Sequence, residues 1–214
     1  MKVGIFGSGD VARTLGKGFA SRGHEVKIGS RNPAKPELKK WLKEAGAKAT
    51  VGTSAEAAAF GDVLVMATLG AGAEATIDAA GAKNFDGKTL IDVTNPLEFS
   101  KGSLGLFVGT TDSLGERIQR KVPKAKVVKA FNTISSLQMV GPTLKGAAPK
   151  LMIAGSDAKA KKQVEGIAKE FGWAGVYDIG GIEAARWLEA HVALWVAVAG
   201  PLNTYQHIFQ PLTP

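Results

Sequence analysis

Three stretches of this chain carry residue types that together could hold a charged, flat ligand. The first is Gly7-Ser8-Gly9-Asp10-Val11-Ala12, a G-x-G-x-x-A turn between an apolar run and a helical pattern. Gly7 permits a sharp exit from a strand, and Gly9 lets the backbone approach a pyrophosphate with no Cβ in the way. Ala12 is small enough for the following helix to lie close to the sheet. The unpaired N–H groups and positive dipole end of that helix favour an anion at its N-terminus. The second stretch is Gly29-Ser30-Arg31-Asn32-Pro33, where a dinucleotide fold that prefers NAD carries a carboxylate for the ribose 2′-hydroxyl. A carboxylate would repel a 2′-phosphate. Ser30, Arg31 and Asn32 offer a hydroxyl, a guanidinium fork and an amide instead, which points to NADP(H). Ser30-Arg31-Asn32-Pro33 also reads as a solvated turn, and its position after the second strand favours the binding role.

The third element is a set of loops: Thr68-Leu69, Thr94-Asn95-Pro96-Leu97 and Phe131-Asn132-Thr133. They read as polar, small and uncharged. Such a surface suits hydride transfer between two flat rings, where positioning dominates and no acid/base pair is obligatory. The nicotinamide is expected beside Thr68, Asn95 and Asn132, whose side chains can hold an amide but take no proton at neutral pH. Pro96 stiffens its loop into a shelf. Other chemistry finds little support. His24, His191 and His207 lie apart at spacings unlike a metal site. There is no cysteine and no G-x-S-x-G elbow. Arg186 and Glu189, three apart on a helical stretch, are expected to pair with each other.

The elements that must position these residues follow from periodicity. Apolar runs at Val3–Phe6, Glu25–Ile28, Ala47–Val51, Asp62–Ala67, Lys88–Val93, Lys126–Ala130, Leu151–Gly155 and Gly175–Ile179 read as strands. Amphipathic segments between them read as helices, including Glu37–Ala45 with Leu38, Trp41, Leu42 and Ala45 on one side. Ser54 is expected to cap one helix, and Asp112 or Ser113 another. Residues 100–109 and 141–149, rich in Gly, Ser or Pro, read as loops. A last helix over 183–199 is apolar nearly all round in its second half and is ended or kinked by Pro201. Regular strand–helix alternation predicts an α/β, Rossmann-type, doubly wound and mainly parallel sheet. A nucleotide-binding domain over 1–180 would carry a small C-terminal helical part over 181–214, serving as a cap or as a homodimer interface through Val192–Ala199.

Composition bounds the rest. The 214 residues, 45% of them hydrophobic, suffice for one good core. The net charge of +8 comes from scattered lysines without interleaved aromatics, which argues against nucleic acid and leaves a field that favours anionic cofactors. No apolar run is long enough to span a bilayer and no signal peptide precedes the first strand, so a cytoplasmic protein without a membrane part is expected.

Gly7-Ser8-Gly9-Asp10-Val11-Ala12-Arg13, Gly29–Pro33, Asp92-Val93-Thr94-Asn95-Pro96 and Val128-Lys129-Ala130-Phe131-Asn132-Thr133 together resemble the NADPH-dependent reductases of the deazaflavin coenzyme F420. They are similar also to the oxidoreductase domain of the six-transmembrane metalloreductases, to whose pattern Asn95 and Pro96 are closer. The resemblance implies NADPH in the glycine turn and a small-molecule redox acceptor, coenzyme F420 or a flavin such as FMN or FAD, stacked beside the nicotinamide. It implies an acceptor pocket drawn from Asn95, Pro96, Asn132, Thr133 and Ile182. Two other readings stay open at this point: a non-enzymatic NADPH-binding sensor, and a dehydrogenase of small carbonyl or hydroxy-acid substrates.

Overall fold

The computed structural model describes residues 1–100, 103–144 and 148–211. Among these residues eight strands form one sheet: β1 (Lys2–Phe6), β2 (Glu25–Gly29), β3 (Ala49–Gly52), β4 (Val63–Met66), β5 (Thr89–Asp92), β8 (Lys126–Lys129), β9 (Lys150–Gly155) and β10 (Gly175–Asp178). Their order is β3-β2-β1-β4-β5-β8-β9-β10. From β3 to β8 every pairing is parallel. β9 then runs antiparallel to β8, and β10 parallel to β9. β1 is flanked by β2 and β4, so the chain reverses its direction of winding there. Open α/β sheets bind ligands at such a switch point, beyond the carboxyl ends of the strands.

Among the described residues, seven α-helices flank the sheet. α1 (Asp10–Ser21), α2 (Pro36–Ala45) and α6 (Ala158–Glu170) cover one face through Leu15, Phe19, Leu38, Trp41, Val164 and Ile167. α3 (Ser54–Phe60), α4 (Ala73–Ala80) and α5 (Leu114–Lys121) cover the other through Ala57, Ile77, Leu114 and Ile118. The central strands are buried on both faces, which is why they read as unbroken apolar runs. α7 (Ala185–Leu202) packs on α5 and β9.

The structure departs from the sequence reading in local ways. The 100–109 stretch is not simply a loop. Leu97–Ser100 (β6) and Ser103–Leu106 (β7) form an antiparallel hairpin with Leu97 opposite Leu106, while residues 101 and 102 lie outside the described set. Its serines and glycines hide the alternation that would have marked it. Part of the 141–149 loop also falls outside the described residues. The cap of α3 is Thr53 rather than Ser54: Thr53 Oγ1 accepts from the Glu56 amide while Glu56 accepts from the Thr53 amide, a reciprocal capping box. Ser113 caps α5. Pro201 lies inside the final turn of α7, which stops at Asn203 in a left-handed conformation. Arg186 does not pair with Glu189. It makes a bidentate pair with Glu116 of α5 at 2.6 and 2.8 Å, and Glu189 turns inward.

Candidate functional site

The glycine turn sits at the switch point between β1 and β4. Gly7 has φ +117°, and a Cβ there would lie 2.4 Å from the Ala67 carbonyl oxygen. Only glycine lets the chain leave β1 against the end of β4. Gly9 is different. It caps α1 with extended backbone, and a Cβ placed on it would meet none of the described residues within 4 Å. The space above it is open. Among the described residues no side chain caps the first turn of α1, which leaves its leading amides for an incoming pyrophosphate. Val11 and Ala12 point inward to the core. Asp10, exposed beside this space, is held by Arg13, whose guanidinium also donates to the Ser8 carbonyl. That pairing lessens the repulsion a lone carboxylate would exert on an anion.

At the end of β2 the Ser30 hydroxyl donates to the Asn32 carbonyl at 3.1 Å and accepts from the Asn32 amide at 3.2 Å. Asn32 Oδ1 accepts from the Ala34 amide, closing an Asx turn. The loop is thus preformed, with Arg31 exposed at its crest. Lys35 was missed by the sequence reading. Its ammonium reaches back to Ser8 Oγ at 3.1 Å and bridges the 30–35 loop to the glycine turn. The signal was a lysine directly before Pro36, the first residue of α2, which fixes the direction of the approach.

The shelf loops are bound together more tightly than their composition suggests. Asn132 Nδ2 donates to Asn95 Oδ1 at 2.9 Å and to the Leu188 carbonyl of α7 at 3.0 Å, and Asn95 Nδ2 donates to the Asn132 carbonyl at 2.8 Å. Asn132 is only 4% exposed, and its Oδ1 is buried with no partner among the described residues. Thr133 and Pro96 are buried beside it. Phe131, between Lys129 and Asn132, is held at φ +59°, a strained backbone for a bulky residue and a feature concentrated at functional sites. Thr68 is half-buried, while Leu69 stands out 88% exposed at the end of β4. Ile182 packs against the α4–α5 core, next to the first turn of α5.

Beneath this shelf lies a charge cluster that the sequence reading also missed. Lys129 Nζ is 2.6 Å from Asp92 Oδ2 and 2.7 Å from Glu189 Oε1. It donates as well to the Thr94 carbonyl at 2.8 Å. Burial alone would depress the ammonium, but the two carboxylates outweigh it and hold its pKa above the ordinary lysine value. Each of the three charges interrupts an apolar run, in Leu90-Ile91-Asp92, Val127-Val128-Lys129 and Leu188-Glu189-Ala190, and that was the available signal. His24 pairs with Glu170, and burial lowers the pKa of His191, which packs against Phe209. Among the described residues no three His, Cys, Asp or Glu side chains come together as a metal site, and no helix is long and apolar enough to cross a membrane.

A doubly wound sheet with an open glycine cradle at its switch point defines a Rossmann-type nucleotide-binding protein. Comparison with known proteins narrows this. Residues 2–96 match the model of the family described as NADP oxidoreductase, coenzyme F420-dependent. A crystal structure from Arthrobacter sp. FB24, provisionally described as an F420-dependent NADP reductase, superposes over the full length of both chains with TM-score 0.95 and 39% identity. The F420-dependent NADP reductase of Methanocaldococcus jannaschii is 27% identical over 209 residues, covering 92% of each protein. The rat metalloreductase STEAP3 is 32% identical over 195 residues, 88% of this chain. The chain spans only 36% of that relative's length. The protein therefore belongs to the family described as NADP oxidoreductase, coenzyme F420-dependent.

Proposed function

We propose that the protein passes hydride between NADP(H) and a flat deazaflavin or flavin ring laid on the shelf of Asn95, Pro96, Asn132 and Thr133. The observation that carries this reading is the closed state of the buried charges: the ammonium of Lys129 is fully engaged by Asp92, Glu189 and the Thr94 carbonyl. A carbonyl reduced to an alcohol needs a proton donor within reach. The ionisable groups beneath this shelf are committed to one another, which favours a ring acceptor that needs none from the protein. The likeness to the Methanocaldococcus reductase over 92% of each protein supports coenzyme F420.

The residues present fit the nicotinamide cofactor. The open space at Gly9 and the uncapped amides of α1 would take the pyrophosphate, with Ser8, Asp10 and Val11 around it. Ser30, Arg31, Asn32 and Lys35 would hold the 2′-phosphate, the two cations by charge-assisted bonds. The unpartnered Asn132 Oδ1 suits an amide donor such as a carboxamide NH₂, and Thr68 and Leu69 would flank the ring. When bound, NADPH supplies the hydride. The chain's own contribution is to orient the ring, and Leu69 offers apolar cover against water. Trp187 and Leu194, 58% and 54% exposed on α7, would form a homodimer contact. Ile182, as a packing residue, would shape the acceptor pocket only through α5.

The test is an acceptor screen under anaerobic conditions with NADPH as donor. Loss of the deazaflavin or flavin absorbance at a rate proportional to enzyme is the expected result. Turnover restricted to carbonyl compounds, or no turnover with any acceptor, would overturn it.

A further inference from the structure

Asp92 ends β5 and Lys129 ends β8, and they face each other in the ladder register. Both side chains are 0% exposed and that of Glu189 is 2% exposed. The cluster is tied to its surroundings by further hydrogen bonds. Asp92 Oδ1 accepts from the Thr94 amide at 2.9 Å and from its hydroxyl at 2.6 Å. Glu189 Oε2 accepts from the Leu114 amide at 2.8 Å and Oε1 from the Gly115 amide at 2.9 Å, so a carboxylate from α7 closes the N-terminus of α5. Burying such a cluster gains little stability over well-packed apolar residues of similar volume. What it fixes is location. Lys129 holds the Thr94 carbonyl and thereby the loop carrying Asn95 and Pro96. The residue before Glu189, Leu188, lends its carbonyl to Asn132. Two consecutive residues of α7 thus grip both loops of the shelf, on either side of the strained Phe131.

We infer that Glu189 and Lys129 are positioning residues that set the shelf against the glycine cradle from α7, an inference that rests on the proposed placement of the nicotinamide there. They touch neither cofactor nor acceptor. They act through Thr94 and Asn132.

The test compares two ligands on the whole protein. Adenosine 2′,5′-bisphosphate reaches only the glycine-turn and 2′-phosphate side, whereas NADPH also needs the shelf. Glu189→Gln keeps the shape but presents an amide NH₂ toward two backbone donors. Affinity for the bisphosphate should stay within about twofold, while NADPH binding and the single-turnover rate each fall by about tenfold or more, since small misplacements have costs of this order. Should that variant fail to fold, Gly115→Ala serves: its Cβ would meet Lys129 Cε at 3.3 Å and Ala185 Cβ at 3.0 Å, a push of a few tenths of an ångström. A smaller change, about threefold, is then expected in the same direction. A lowered melting temperature with an unchanged ratio of NADPH to bisphosphate affinity, in whichever variant folds, would show a merely structural role and overturn the inference. The ratio can be read even if the wild type reduces no flavin-like acceptor, so the two proposals can fail separately.

Discussion

Gly7 and Gly9 belong to one motif, yet the structure predicts opposite consequences for replacing them with alanine. At residue 7 the new Cβ would sit 2.4 Å from the Ala67 carbonyl oxygen with φ at +117°. Backbone strain of about 1–3 kcal/mol and overpacking of about 1–3 kcal/mol combine to about 3 kcal/mol or more. For a chain of this size that lowers the melting temperature by roughly 6–12 °C. At residue 9 the backbone is already extended at φ −77°, and none of the described residues lies within 4 Å of the new methyl. The stability cost is the weaker capping preference of alanine, at most about 1 kcal/mol. The cost in binding is larger, because the methyl occupies the space where a pyrophosphate must meet the amides of α1. Losing one charge-assisted bond of about 1.5–3 kcal/mol weakens NADPH roughly ten- to hundredfold. Thermal unfolding followed by circular dichroism and NADPH titration by fluorescence measure the two effects. If Gly9→Ala binds NADPH like the wild type, or if Gly7→Ala melts no lower than Gly9→Ala, the division of labour within the turn is wrong.

Other outcomes follow from the same geometry. Arg31→Ala and Lys35→Ala should each weaken NADPH roughly tenfold or more and leave NADH nearly unchanged; parallel titrations that show equal losses for both cofactors would remove the 2′-phosphate assignment. Asn132→Leu should destabilise by about 1–3 kcal/mol, because Asn95 Oδ1 and the Leu188 carbonyl each lose their donor; a melting temperature matching wild type would refute the clamp. Leu194→Asp should leave the fold intact and yield monomers by sedimentation if α7 is a dimer contact, and a monomeric wild type would remove that proposal. The side chains of Arg120 and Arg117 hold the pKa of Asp112 down to about 2. A carboxylate depressed in the folded state adds stability above its unfolded pKa of about 4 and loses it as pH falls toward 2. After screening at the exposed Arg120, the contribution is about 1 kcal/mol. The stability difference between wild type and Asp112→Asn should shrink over that range, and a constant difference would contradict the pairing.

The sequence alone determined the strand–helix alternation, the glycine turn and the Ser30-Arg31 signature, because each is a local pattern. A buried parallel strand announces itself as an apolar run, and a phosphate-binding turn needs its glycines at fixed spacing. The partners of polar side chains were decided only by the tertiary structure. Arg186 and Glu189 share a helix and looked like a pair, but α5 supplied Glu116 to one, while Lys129 of β8 and the α5 amides engaged the other. Asn132 looked free to hold a ligand, and the fold turned its amide nitrogen inward to Asn95 and Leu188. Lys35 joined the glycine turn only when α2 set its direction of approach. Hydrogen bonds and ion pairs between residues far apart in the chain depend on where the strands and helices meet, and no local period in the sequence records that.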